Sequence, residues 1–335
     1  MKKITMQDLA DKAAVSLTTV SRYLNQSGYV ARDKQALIEE AIKELGYKGA
    51  PVKKVVRQKT IGHILPRTET TLYFDRLSAS LVNATNQQGY YPVLAQCPEN
   101  EVSGEELLRQ IERLCTYKVD GIVVAGISDA AMTDDVRQAI KALAVPVVFI
   151  ERTVGCEGFD RIEIDTKAGM IEAVRYLLGE GHRSILYLDG YRASGKAPGM
   201  RKQGFLEAME HFGGPDTQYW VESCKSFSMS DCLEKAEAAL GEHPEITAIM
   251  AWGDMLASAA LQALIRIGRR VPEEVEVVGY DDILAPLLAP PISSVHMPLQ
   301  ELANTAVQLI AEHEKAPLGG YVRTVLVEPK LVVRK

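Results

Sequence analysis

From residue 60 onward the chain alternates short apolar runs with longer amphipathic stretches, and this rhythm limits the fold more than any other feature. The runs TIGHILP, YYPVLAQC, GIVVAG, VPVVFIE, SILYLDG, AIMAWGD and VEVVGYDD are continuous rather than alternating, as strands buried on both faces must be. Helical patterns follow most of them, over 75–88, 104–117, 166–180 and 254–267. Strand-helix repeats of this kind specify parallel sheets covered by helices on both faces. Roughly 275 residues exceed what one core accommodates well, so two similar subdomains are expected.

The first sixty residues are of another kind. The whole chain carries a net charge of −6. Residues 1–60 hold nine Lys and three Arg against three Asp and three Glu, which is +6, leaving −12 for the remainder. A basic end on an acidic body suits a polyanion. Met6, Leu9, Ala10 and Ala13 fall on one face of a first helix. Ala14-Val15-Ser16 then breaks the chain, with Ser16 placed to cap a second helix in which Val20 and Leu24 face inward. A third helix, Arg32 to Leu45, buries Leu37, Ile38, Ala41, Ile42 and Leu45 and ends at Gly46. Two short helices, a tight turn and a bracing third describe a helix-turn-helix unit.

The outer face of the second helix suits a DNA major groove. Small side chains allow close backbone approach; Leu17, Thr18 and Arg22 are placed for base edges, and Arg22 can pair bidentately with guanine. Ser16, Thr19 and Asn25 suit phosphate oxygens. Thr5, Ser21 and Tyr29 complete the set assigned here to DNA. The competing reading is a small bundle whose hydroxyls serve only as caps.

The segment ITMQDLADKAAVSLTTVSRYLN resembles the N-terminal signature of the lactose-repressor (LacI/GalR) family of bacterial transcriptional regulators. Thr5, Asp8, Leu9, Ala10, Ala13, Val15, Ser16, Thr19, Val20, Ser21, Arg22, Leu24 and Asn25 all fit it. The resemblance implies that Leu17 and Thr18 select the operator while Arg22 reads a shared base. Two positions depart from the family: Ala31 replaces the usual serine before helix three, leaving Asp33 as substitute cap, and Lys34-Gln35 replaces Thr-Arg. In relatives the linker becomes a hinge helix whose leucine wedges into the minor groove. Here that position is Val56, flanked by Val55, with Lys53 and Lys54 placed for phosphates, so a weaker bend is expected.

DGIVVAG, VPVVFIER, EGHRSILYLDG, RKQGFLEAM, RVPEEVEVVGYDD and APPISSVHMP extend the resemblance along nearly the whole chain. The implied architecture is an all-α helix-turn-helix headpiece (1–47), a hinge (48–59) and an α/β core (60–335). That core has two doubly wound parallel-sheet subdomains of the type I periplasmic-binding-protein kind. The expected N-subdomain is 60–154 with 296–318, and the C-subdomain 155–290 with 322–335. By resemblance Arg201 clamps the effector, Asp281 accepts from its hydroxyls, and Asp165, Tyr73, Phe74 and Phe227 also reach it. Ligands of open α/β sheets sit beyond the carboxyl ends of strands, which adds Arg67, Arg152, Trp252 and Asp254 to the effector-binding set. Gly253 stands where many relatives carry asparagine, so ligand identity does not transfer. Aromatic plates with charged groups suit a small sugar-like effector, and Arg67, Arg152, Lys196 and Arg201 favour an anionic form: sugar acid or sugar phosphate.

These features give a homodimer on operator double-stranded DNA, because a symmetric operator needs paired readers. No cofactor and no metal site is expected. The five cysteines are scattered and never at CxxC spacing, no apolar run approaches the ~18 residues of a membrane span, and the start lacks a signal-peptide core. A cytoplasmic protein without membrane association follows. Two other classes compete. GYRASGK, Gly190 to Lys196, matches most of a nucleotide-binding phosphate loop, but Ala197 replaces the hydroxyl that holds Mg²⁺. A sugar-binding protein without regulation would leave the basic N-terminal unit without a purpose.

Overall fold

The computed structural model describes residues 4–25, 28–47, 57–67, 72–97, 101–128, 130–151, 153–190, 199–225, 229–315 and 321–334. They form two compact units, residues 1–58 and 59–335.

In the first unit, α1 (Met6–Lys12) is opened by a capping box: the Asp8 amide donates to Thr5 Oγ1 at 3.3 Å and the Thr5 amide to Asp8 Oδ2 at 2.7 Å. Ala14 turns the chain at φ +51°, and Ser16 Oγ accepts from the Thr19 amide at 3.1 Å to open α2 (Leu17–Asn25). The third helix, α3 (Arg32–Leu45), packs Ile38 and Ala41 against Leu9, Ala10, Ala13 and Val20. Lys12–Glu44 (2.6 Å) and Tyr23 Oη–Glu39 (2.6 Å) tie the first two helices to the third. Burial, then Glu39, pushes the Tyr23 hydroxyl up to about 12. Two expectations are corrected. Leu37 is 46% exposed, because one residue before Ile38 lies about 100° round the helix from the buried stripe. Ala31 precedes α3 with no side-chain cap from Asp33; instead Gln35 Nε2 donates to the Val30 carbonyl at 2.7 Å.

The second unit contains two six-stranded sheets. The first lobe is built from β1 (Thr60–Pro66), α4 (Tyr73–Gln87), β2 (Tyr91–Cys97), α5 (Gly104–Thr116), β3 (Gly121–Ala125), α6 (Asp134–Lys141), β4 (Val147–Ile150) and β5 (Asp160–Ile164). The second follows with α7 (Thr166–Gly179), β6 (Ser184–Asp189), α8 (Met200–Phe212), β7 (Gln218–Ser223), α9 (Met229–Glu242), β8 (Ala248–Ala251), α10 (Asp254–Arg266), β9 (Glu276–Asp281) and β10 (Ser293–His296). The chain then returns through α11 (Leu299–Lys315), β11 (Thr324–Val327) and β12 (Lys330–Val332). Strand orders are β11-β5-β4-β3-β1-β2 and β12-β10-β9-β8-β6-β7, parallel except for β10 with β12. Both are doubly wound.

The crossings between lobes differ from those expected near 154 and 318–322. β5 pairs with β4 and β11 pairs with β5, so the chain leaves the first lobe after Ile164 and leaves it finally after Val327. The cause is Asp160. Its carboxylate, 2% exposed, accepts from the Arg323 amide (2.8 Å), Arg323 Nη2 (2.7 Å) and His313 Nε2 (2.9 Å), which binds β5 and β11 to α11. Burial opposes its charge, yet these donors hold the carboxyl below its ordinary range.

His63 on β1 is wholly buried against α4, with Nε2 2.9 Å from Thr85 Oγ1. Burial lowers its pKa from 6.5 to about 4. As pH falls, the unfolded chain gains a proton that the folded chain refuses. The stability contributed by neutral His63 is therefore complete above pH 6.5 and lost progressively towards pH 4, about 3 kcal/mol in total. Urea unfolding measured from pH 7 to pH 4.5 should show this loss, and His63→Gln, which keeps a partner for Thr85 but does not titrate, should flatten the pH dependence.

Candidate functional site

In the first unit the polar face of α2 is displayed as its sequence requires. Val20 is buried, while Leu17 is 45% exposed and Thr18 and Arg22 also face outward. Thr5, Ser16 and Tyr29 are exposed, and Thr19, Ser21 and Asn25 half-buried. Several of these hydroxyls also cap or brace: Ser16 Oγ lies 2.8 Å from Thr19 Oγ1, and Asn25 Nδ2 donates to Ser21 Oγ at 3.0 Å. Bracing fixes rotamers and leaves lone pairs for an outside partner. Lys53, Lys54, Val55 and Val56 lie outside the described residues.

The second site sits at the carboxyl ends of β6, β8 and β9, where parallel strands deliver several chain ends to one edge. Arg201 reaches over this edge from the first turn of α8. Its Nη2 donates to Asp281 Oδ1 at 2.9 Å and its Nη1 to the Trp252 carbonyl at 2.5 Å. Its guanidinium carbon lies 4.4 Å from the centroid of the Trp252 ring and 3.9 Å from that of Tyr280. The Arg201 and Asp281 side chains are 11% and 17% exposed. Burial lifts the Asp281 carboxyl to about 7; Arg201 opposes this lift, and the charges of Asp254 and Glu151 add to it. The Trp252 indole can lie over the end of β6 only because Gly190 is there: a Cβ at Gly190 would stand 2.6 Å from Trp252 Cδ2.

Tyr73, the first residue of α4, brings the other lobe to the same place. It is 8% exposed and its hydroxyl has no hydrogen-bond partner among the described residues. Burial raises that hydroxyl's pKa, and Glu151 and Asp281 raise it further while Arg201 lowers it, so all three charges lie near it. Leu72, Tyr73, Trp252, Gly253, Asp254, Met255 and Asp281 line a narrow cavity of about 20 Å³, room for about one water.

Tyr73, Arg201, Trp252 and Asp281 are thus brought together. Two other expected residues are packed into the protein beside this site. Asp254 is 3% exposed and its carboxylate is committed internally: Oδ2 accepts from the amides of Ile283 (2.7 Å), Leu284 (2.8 Å) and Ala285 (3.0 Å), and Oδ1 from Ser294 Oγ (2.7 Å). It holds the turn after Asp281. Phe74 is buried at the top of the first sheet, where Gly126, at φ +68°, leaves room for its ring beside Pro66. Asp165 caps α7 through the Ala168 amide (2.8 Å), and Arg67 stands exposed just beyond β1. Arg152, Phe227 and residues 191–196 of the phosphate-loop-like stretch lie outside the described residues. Tyr280 was missed, although its place one residue before Asp281, on the same strand face as Val278, offered a signal.

A helix-turn-helix unit with an exposed polar recognition helix, joined in one chain to a two-lobed core with a walled charge pair, defines a ligand-responsive DNA-binding regulator. The chain belongs to the lacI family of bacterial regulatory proteins: residues 5–49 match that family, and residues 58–316 match the periplasmic binding proteins and sugar binding domain of the LacI family. It is 30% identical to the ribose operon repressor of Halalkalibacterium halodurans over 99% of this chain and 96% of that protein. The transcriptional repressor PurR of Pasteurella multocida is also 30% identical, over 99% and 98%. Among solved structures, a complex of the regulator CelR with cellobiose superposes with a TM-score of 0.66 at 28% identity, covering 99% of each chain. A lac repressor dimer bound to operator and the anti-inducer ONPF shares the fold, with a TM-score of 0.70 at 23% identity over 100% and 99%. No helix of the described residues is long and apolar enough to cross a membrane.

The commitment of Asp254 has a measurable consequence. Asp254→Ala leaves three buried amides and one hydroxyl without an acceptor and should lower unfolding free energy by at least ~3 kcal/mol, read from the denaturant midpoint.

Proposed function

We propose that this protein is a cytoplasmic, homodimeric transcriptional repressor whose hold on an operator is governed by a small sugar-like effector in the cleft between the lobes. The observation that carries the reading is the Arg201–Asp281 pair between Trp252 and Tyr280, on a chain that also presents an open recognition helix. A guanidinium and a carboxylate side by side can donate to and accept from neighbouring hydroxyls, while an indole face covers the apolar side of a sugar ring. The repressors of ribose operons among its relatives support the same chemistry. Tyr73 from the first lobe and Arg201 from the second would both touch a ligand bound here, so occupancy would fix the angle between lobes. A ligand that binds one lobe arrangement more tightly shifts the population towards it, and with it the affinity for DNA.

On the DNA, Leu17, Thr18 and Arg22 contact base edges, while Thr5, Ser16, Thr19, Ser21, Asn25 and Tyr29 with Lys53 and Lys54 position the headpiece on phosphates. The domain arrangement proposed is a headpiece to residue 47, a hinge to 59 and the effector core beyond it. The protein is not an enzyme in this reading; the absence of ATP turnover would bear out the assignment of Gly190–Lys196 to the effector side.

The test separates the two sites. Arg22→Ala should cost about 1–3 kcal/mol of operator discrimination in a gel-shift titration and leave the thermal shift produced by a bound sugar unchanged. Arg201→Ala should abolish that thermal shift, screened over sugars, sugar acids and sugar phosphates, and leave effector-free operator binding intact. Operator binding unaffected by Arg22→Ala would overturn the headpiece assignment.

The carboxyl of Asp281 titrates near 7, and its ionised form is the one that accepts from ligand hydroxyls. Effector affinity should therefore rise with pH through about 7 and level off above it, falling up to ~tenfold per unit on the acid side. Calorimetric titration across this range should show that slope, and Asp281→Asn should remove it.

A further inference from the structure

Asp281 is followed by a second aspartate that the effector reading leaves without a task. Asp281 and Asp282 adopt φ +98° and +55°, two consecutive left-handed residues of a kind that persists only where the surroundings impose it. The surroundings are specific. The Asp282 amide donates to Ser294 Oγ at 3.1 Å, and the same hydroxyl donates to Asp254 Oδ1 at 2.7 Å. The Asp282 carboxylate, 9% exposed, is gripped from two sides. His296 Nδ1 lies 3.1 Å from Oδ2, and Arg334 Nη1 lies 2.7 Å from Oδ1 at an angle that makes it a charge contact rather than a hydrogen bond. Arg334 is itself anchored, with Nη1 donating to the Ile292 carbonyl (3.1 Å) and its amide to Ser293 Oγ (3.0 Å).

The position of His296 in the chain gives the grip its interest. His296 ends β10 and is the register partner of Asp281 across the β9–β10 pair. Met297 and Pro298 then carry the chain into α11 of the first lobe, and α11 packs on α4, the helix that begins with Tyr73. Half-exposed, His296 faces a groove shared with Arg76, Asn83 and Glu301 of the first lobe.

We propose that Asp282 is a positioning residue: held by His296 and Arg334, it fixes the backbone that aims the Asp281 carboxylate at Arg201 and ties that carboxylate to a strand crossing between the lobes. Its consequence for effector control rests on the reading of Asp281 as an effector contact, and the structural claim does not. A displacement of Asp281 is then passed to His296 and the crossing, rather than absorbed in a flexible turn.

Trp252 reports on this without sugar or DNA, since it stacks on the arginine that Asp281 holds. The full chain has two tryptophans, so Trp220→Phe leaves Trp252 alone. In that background His296→Ala should raise acrylamide quenching of Trp252 about twofold and shift its emission to the red; His296→Asn, whose amide takes the place of Nδ1, should restore the parent value to within about a fifth. Asp282→Ala should move the signal the same way, and if that variant does not fold, the half-exposed His296 carries the test. Unchanged Trp252 quenching in His296→Ala, or no rescue by His296→Asn, overturns the proposal. Because neither ligand is present, either result leaves the proposed function standing or falling on its own experiments.

Discussion

A guanidinium buried between an indole and a phenol ring, with the Asp281 carboxylate beside its charge, is the interaction around which the second lobe is organised. Burying such a pair contributes little to stability, since desolvation offsets most of the attraction. Its surroundings are better understood as keeping it in place. Parallel strands bring Trp252 and Asp281 to one edge, Gly190 yields space for the indole, and the buried Asp254 secures the turn that follows Asp281. Burial lifts the carboxyl of Asp281 to about 7, against the pull of Arg201.

The two functional surfaces follow different physics. The headpiece is a local structure, in which capping hydroxyls and a small core of Leu9, Ala10, Val20 and Ile38 hold one helix face open. The proposed effector site joins parts distant in sequence: α4 supplies Tyr73, α8 supplies Arg201, and β9 supplies Asp281. A ligand touching both lobes would depend on the relation between them, and such a dependence is what lets binding energy alter another equilibrium.

Much of this was legible from residues alone. The alternation of apolar runs and amphipathic stretches specified parallel sheets, strand ends pointed to Trp252, and the resemblance pointed to Asp281. The headpiece was legible because its motif is contiguous. What stayed hidden depends on pairing. β5 reads DRIEI, a half-polar strand whose partners lie at 147–150 and 324–327, so the lobe crossing was misplaced until the bonds of Asp160 to Arg323 and His313 were seen. A carboxylate at a strand end can serve a ligand or a turn, and the bonds of Asp254 to the amides of 283–285 depend on a loop distant in sequence.

The central claim is that one chain couples cleft occupancy to DNA affinity. The direct measurement is fluorescence anisotropy of a labelled promoter fragment that the protein binds, titrated with protein with and without a saturating sugar that raises its melting temperature. A coupling of about 1–3 kcal/mol predicts a change in operator affinity of roughly 5- to 150-fold. Identical DNA binding with and without every sugar that stabilises the fold would contradict the account.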